Sequence, residues 1–196
     1  MPATALFHLV EERRVMREQI RKLIPEFDEI QDRELREKAL AVWEDALRDG
    51  GWTLDDLLHM PFTLWADDVK INFIEHVRTV CRMCMAVENV LREAYGDRMP
   101  INRDHLIAGA LLADVGKLIE YEKRDGQFVR SQKGHYLRHP FVGVGMCYRR
   151  GVPEGVMHVV ATHSKEGDHV TRSPESIIFH HADFIDFDLV SKKRPF

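Results

Sequence analysis

The chain is short of several things, and each shortage closes off a class of function. Three cysteines among 196 residues, an odd number, do not make a disulfide framework and point to a reducing, cytoplasmic setting. No apolar run reaches the roughly 20 residues that cross a bilayer, and the N-terminus has no signal-peptide core, so no membrane partner is expected. Positive charge is not in excess. The net charge is −4, which argues against a broad basic surface for nucleic acid. There is no internal repeat and no low-complexity stretch. What is present is an ordinary globular composition, 44% hydrophobic and 31% charged, long enough to bury a sizeable core in one domain. The surplus is in histidine. There are eleven, most of them after residue 75, where a metal site would be built.

The apolar spacing reads as helix along most of the chain. Residues 4–24 form a charged amphipathic helix stopped by Pro25. Asp32 caps a second helix over 33–49, which ends at Gly50-Gly51. Thr53 and Asp56 make a capping-box start for a short third helix, halted near Pro61. These carry no evident chemistry and are expected to cover one side of the core, with His8 and His59 as surface or packing residues. A long helix is predicted over 64–95. On it Phe73, Val77, Val80, Cys84, Val87 and Leu91 recur at spacings of four and three and face the core, with His76 at the edge of the stripe. Cys81 and Cys84 form a C-x-x-C with no preceding strand, so buried thiols are expected rather than a redox or metal pair. Asn102 caps the next helix, Arg103 to Val115, with an exposed His105 in its first turn. Asp125-Gly126 signals a turn or one short hairpin within 119–135. Pro140 places His139 at or just before the start of a helix that stops at Gly151. Pro153 starts another, which delivers Thr162-His163. Residues 165–172 read as a loop, Ser173-Pro174 open the last helix, and Lys192-Lys193-Arg194 read as a solvated basic tail.

The organising stretch is Gly109 to Lys117. Ile107, Leu111, Val115 and Leu118 share one helical face, and a run this apolar belongs in the core. Asp114 is then a buried carboxylate and needs a cation. For an isolated aspartate, Lys117 or an arginine would serve. The order of other residues argues for more: His76, Asp114, His139, His163 and Asp183 each lie on or at the end of a separate predicted helix, embedded in apolar sequence. Imidazole and carboxylate suit Fe, Mn, Zn, Co or Ni, and such a set could hold one or two divalent ions. Asp114 could bridge two of them about 3.5–4 Å apart.

Ala113-Asp114-Val-Gly-Lys117, with His76 upstream and Asp183 downstream, resembles the HD-domain superfamily of metal-dependent phosphohydrolases. Its usual pattern is a His, then His-Asp-x-Gly-Lys, then a distal Asp. His139-Pro140-Phe-Val-Gly143 is similar to the His-Pro-x-x-Gly of the dinuclear branches, and Thr162-His163-Ser-Lys-Glu-Gly to their next histidine motif. Ser173-Pro174 through His180-His-Ala-Asp183-Phe-Ile-Asp186 resembles the closing helix in the HD half of some bacterial 3′–5′ exoribonucleases. The resemblance covers roughly 70–190. It implies an all-α helical bundle with a metal-binding domain over 63–196; residues 1–62 lie outside the resemblance and are expected to pack on it as a helical extension.

It also implies hydrolysis of a small anionic substrate, a phosphoester or nucleotide, by metal-activated water. His76, Asp114, His139, His163 and Asp183 would be the ligands. Asp114 would orient the nucleophile and Lys117 neutralise charge on the substrate. Lys165 and Glu166 are candidate substrate contacts or proton carriers, Arg138 a candidate contact for an anionic group of the substrate, and Asp186 and Glu75 candidate carboxylates behind the histidines. A homo-oligomer is compatible with this reading, and nucleic acid is disfavoured as a substrate. One position departs: residue 113, where the pattern carries a metal-binding His, is alanine. A replacement made to silence the enzyme and a naturally degenerate member both fit. The first is preferred, because every other ligand position is filled. Either way the first ion should bind less well and the chain be impaired; His180 or His181 are poor substitutes. Two other outcomes keep the same ligands: an HD-type di-iron oxygenase and a non-catalytic binding protein.

Overall fold

The computed structural model describes residues 3–66 and 69–191. The expectations for His8 and for the tail at 192–194 lie outside the described side chains and residues. The described architecture is all-α apart from one hairpin.

Helix starts follow local capping chemistry. After α1 (Ala3–Leu23) and a 3₁₀ turn at Pro25–Glu29, α2 (Arg33–Gly50) begins where the Asp32 carboxylate accepts the N–H groups of Glu34 and Leu35. It ends at Gly51, whose φ of 71° is the left-handed stop. α3 (Leu54–His59) carries both halves of the Thr53/Asp56 capping box. α4 (Phe73–Tyr95) starts nine residues later than the predicted 64. Asn72 and Glu75 close a second capping box there, and the chain before it is pinned by a bridge between Pro61 and Asn72. The stripe on α4 also turns differently at its far end. Val87 is 41% exposed, and Glu88, four residues after Cys84, takes the inward position to meet Arg103.

The centre of the molecule is α5 (Arg103–Leu112), capped by Asn102 and buried along its whole length from Leu106. It packs against α4, α2, α9 (Glu154–Thr162) and α10 (Pro174–Ser191). Gly109 lets α9 approach, since a Cβ there would lie 2.7 Å from that of Val159. The helix stops at Leu112, short of the predicted Val115, and turns into α6 (Lys117–Glu120). The hairpin then forms as β1 (Tyr121–Arg124) and β2 (Gln127–Arg130), with Tyr121 opposite Arg130. Asp125 and Gly126 both take positive φ, 51° and 79°, as a two-residue hairpin turn requires. A short α7 (Gln132–Tyr136) occupies residues read only as turn or hairpin, and α8 (His139–Arg149) follows with Pro140 in its first turn. Part of the 165–172 loop is a 3₁₀ turn, Lys165–Gly167.

One buried cluster joins both ends of the chain. Ile20, Phe27 and Trp43 share it with Leu106, Leu112, Val159 and Phe179. Two indoles tie the N-terminal part to the centre: Trp43 donates to the carbonyl of Leu111 at 2.8 Å and Trp52 to that of Leu118 at 2.7 Å. His105 is half-buried rather than exposed, lying over Gly155, where a Cβ would meet its ring at 2.5 Å. Cys81, Cys84 and Cys147 are free and buried. No helix among the described residues is long and apolar enough to cross a membrane.

Candidate active site

The site forms where α5 ends. Residues 113–116 make tight turns, with the Lys117 N–H bonded to the Asp114 carbonyl at 2.8 Å. Gly116 is what lets α8 close on this turn: a Cβ there would lie 2.1 Å from the His139 carbonyl oxygen. α8 therefore delivers His139 from its first residue. α4 delivers His76, the end of α9 His163, and α10 Asp183 and Asp186.

All five predicted ligands converge. Asp114 is buried and its two oxygens face different partners. Oδ2 lies 3.1 Å from His76 Nε2, and Oδ1 lies 3.3 Å from His139 Nε2 and 3.7 Å from His163 Nε2. Asp183 Oδ1 is 3.2 Å from His76 Nε2. Two groups, His76–Asp114–Asp183 and Asp114–His139–His163, could each hold a metal ion, and they share Asp114. Lys117 does pair with Asp114, at 2.8 Å, but on Oδ2 only, and it also donates to the Phe62 carbonyl at 2.9 Å.

The hydrogen bonds behind the rings test whether an ion fits. His139 Nδ1 faces Glu120 Oε2 at 2.6 Å, and His163 Nδ1 faces the Val160 carbonyl at 2.8 Å. Both partners only accept, so both Nδ1 atoms carry the proton and both Nε2 atoms present lone pairs in the neutral rings. Those two Nε2 atoms lie 3.2 Å apart, beside an oxygen of Asp114. Three unprotonated donor atoms at about 3 Å repel one another. The same spacing is what ligands adopt around an ion with bonds of about 2.1 Å. Burial holds His139 neutral, lowering it to about 4 against the pull of Glu120 and Asp114. His76 behaves oppositely. Burial would lower it, but hydrogen bonds to Asp114, Asp183 and Asp186 raise it to about 10. The Asp114 carboxyl is held well below its usual range: burial would raise it, but Lys117 and the histidines outweigh that.

The supporting residues divide. Asp186 lies behind His76 at 2.7 Å from Nδ1, as expected. Glu75 does not serve a histidine; its carboxylate accepts the Asn72 N–H and caps α4. His180 Nδ1 donates to the His163 carbonyl oxygen at 2.7 Å, and His181 is exposed; neither belongs to the two groups. Glu120 was missed. It is 2% exposed, and Oε2 also accepts the His139 backbone N–H at 2.7 Å, while Oε1 accepts from Arg130 and Arg138 at 3.0 Å each. Its carboxyl is lowered to about 2: burial opposes, but the His139 bonds and Arg138 win. Only an acidic residue close after Lys117 hinted at it.

The cluster floors a cavity of about 510 Å³, within the size range of small-molecule sites. Lys117, Arg130, Arg138, Lys165 and Glu166 line it, so all three predicted substrate-contact residues border the same space. Arg138 Nε donates to Glu166 Oε1 at 3.1 Å. Burial would raise the Glu166 carboxyl, but its backbone bond and Arg138 hold it below its usual value. Phe62 stacks on the His76 ring at 4.5 Å, and Trp65 also lines the cavity.

No protein-family model matches the chain, and no solved structure does. Among curated proteins the chain is similar to the dihydroneopterin 2',3'-cyclic phosphate phosphodiesterase of Methanocaldococcus jannaschii. The two are 33% identical over 180 aligned residues, spanning 84% of this chain and 68% of that protein. Identity at this level and over this length, with a buried His/Asp cluster under a cationic cavity, shows that the chain belongs to the family of that phosphodiesterase.

Proposed function

We propose that the chain is a metal-dependent phosphodiesterase of the HD superfamily, working on a small cyclic phosphate ester of the kind named for its relative. The carrying observation is the trio Asp114 Oδ1, His139 Nε2 and His163 Nε2, in which hydrogen bonds behind both rings turn their lone pairs toward the carboxylate oxygen. Asp114, His139 and His163 would hold one divalent transition ion, and His76, Asp114 and Asp183 a second. An ion held there supplies Lewis acidity toward a phosphate oxygen and acidifies water.

The chain's own groups do the rest. Asp114 divides its two oxygens between the groups and sets their separation. Lys117, buried and charged beside Asp114, offers a cation to charge developing on the phosphate. Arg138 and Lys165 border the cavity and hold an anionic substrate over the cluster. Ala113 leaves His76–Asp114–Asp183 one side chain short of the superfamily pattern, so in this proposal the second ion is weakly held and turnover is impaired. Residues 1–62 act as a packing extension, and the three buried free thiols suit a reducing cytoplasm.

Metal analysis of the chain and of its Ala113→His variant, followed by hydrolysis of 2',3'-cyclic phosphates and of bis(4-nitrophenyl) phosphate, tests this. The expected result is about one ion in the parent, more in the variant, and phosphodiesterase activity that rises with Ala113→His and is lost to a chelator. A variant that binds no transition ion sinks the proposal.

A further inference from the structure

One carboxylate among the cavity-lining residues has an oxygen without a partner among the described residues. Glu166 Oε1 is committed to Arg138, but Oε2 is buried with no hydrogen-bond partner among the described residues. A buried acceptor left unmade is costly, so such an atom in a cavity wall marks where a ligand donor belongs. Trp65 is the second observation. It lines the same cavity yet is 69% exposed, an unusual state for an indole. The guanidiniums of Arg130 and Arg138 lie 5.6 and 5.8 Å from its ring centre, and both bond the same oxygen of Glu120. Arg138 thus touches both the indole and the Glu166 carboxylate. A flat apolar face and an unfilled acceptor sit one side chain apart, beside the His/Asp cluster.

We infer that Trp65 and Glu166 form a ring subsite, which stacks a planar heterocycle on the indole and reads an edge of adjacent N–H donors with the Glu166 carboxylate. The matching edge is the 2-amino-4-oxo-pyrimidine, whose ring N–H and amino group point the same way at the spacing of two carboxylate oxygens. Oε2 has no partner among the described residues, and Oε1 keeps a second lone pair beside Arg138. Pterins and guanine share this edge. The inference rests on the phosphodiesterase reading for what happens at the cluster, while the subsite itself stands on Glu166 and Trp65.

The test uses binding to the full chain and needs no turnover. Pterin and lumazine are pteridines of the same size, and lumazine replaces the 2-amino donor with an oxygen. Their affinities are measured by ligand fluorescence, with guanosine to ask whether a purine carries the edge. The parent is expected to bind pterin about tenfold or more tightly than lumazine, because a site built around a hydrogen-bond donor rejects the analogue lacking it. Glu166→Gln should bring the two within about twofold. Trp65→Ala should weaken both alike, since stacking ignores the edge. Equal binding of pterin and lumazine by the parent, or equal weakening of both by Glu166→Gln, overturns the inference; the first comparison needs no variant to fold. Guanosine bound more tightly than pterin supports the edge and makes the ring a purine. Hydrolysis of bis(4-nitrophenyl) phosphate by Ala113→His without pterin–lumazine discrimination removes the ring subsite alone. Discrimination without any phosphodiester hydrolysis removes the phosphodiesterase reading alone.

Discussion

Replacing Glu120 by glutamine is the sharpest probe of how the cluster is held. The carboxylate accepts four donors, the His139 ring and backbone N–H groups on one oxygen and two guanidiniums on the other. An amide offers one oxygen and one donor group, so two of the four must lose their acceptor. If the amide oxygen stays with His139, which is buried, Arg130 and Arg138 lose theirs. Those side chains are each 29% exposed and can turn partly to water. Bonds to charged groups are worth about 1.5–3 kcal/mol when fully buried. Discounting for exposure leaves an expected loss of about 2 kcal/mol in stability. Glu120→Ala strands all four donors and should cost about 3–5 kcal/mol. The His139 ring also loses the carboxylate that fixes its tautomer and raises its basicity, so Co(II) affinity should fall about 10- to 100-fold in the glutamine variant. Urea unfolding and Co(II) titration by its visible absorption read the two effects separately. A glutamine variant with the parent's unfolding midpoint and the parent's Co(II) affinity would refute the reasoning.

Other predictions follow from the same geometry. Gly116→Ala should lower stability by about 3 kcal/mol and weaken metal binding, because its backbone is helical and the whole cost comes from the His139 carbonyl at 2.1 Å; an unchanged urea midpoint contradicts this. Asp56 is held at about 2 by the Thr53 hydroxyl and N–H and by Lys123. Its folded value lies below its unfolded value, so its contribution, about 1 kcal/mol for a partly exposed cap, is full above pH 3.8 and fades as pH falls toward 2. The stability gap between parent and Asp56→Asn should therefore shrink over that window, and a gap constant down to pH 2 would be evidence against it. Burial pushes Cys147 up to about 12 and raises Cys81 and Cys84 as well. An aromatic disulfide reagent should therefore label no thiol in the folded chain and all three after denaturation; rapid native labelling would contradict this burial.

Much of the fold is local chemistry and could be read directly. Asp32, Thr53 and Asn102 start helices by bonds within a few residues, Pro140 by its fixed φ, and Asp125-Gly126 turn a hairpin because both accept positive φ. The start of α4 escaped because Asn72 and Glu75 compete with an apolar pattern that runs on through Trp65. Val87 was misplaced because the stripe follows Cys84 to Glu88, an ion-pairing position that hydrophobicity does not mark. The five His and Asp candidates were legible as a set because buried polar residues at helix ends need partners. Which oxygen of Asp114 faces which histidine was not. Nor was Glu120, whose bond to His139 crosses 19 residues and a hairpin, nor the cap role of Glu75. Residue types and their order settled that the chain folds as helices around a buried carboxylate. Only packing decided how the side chains divide among partners, because a hydrogen bond depends on a few tenths of an ångström between groups that the chain brings together from far apart.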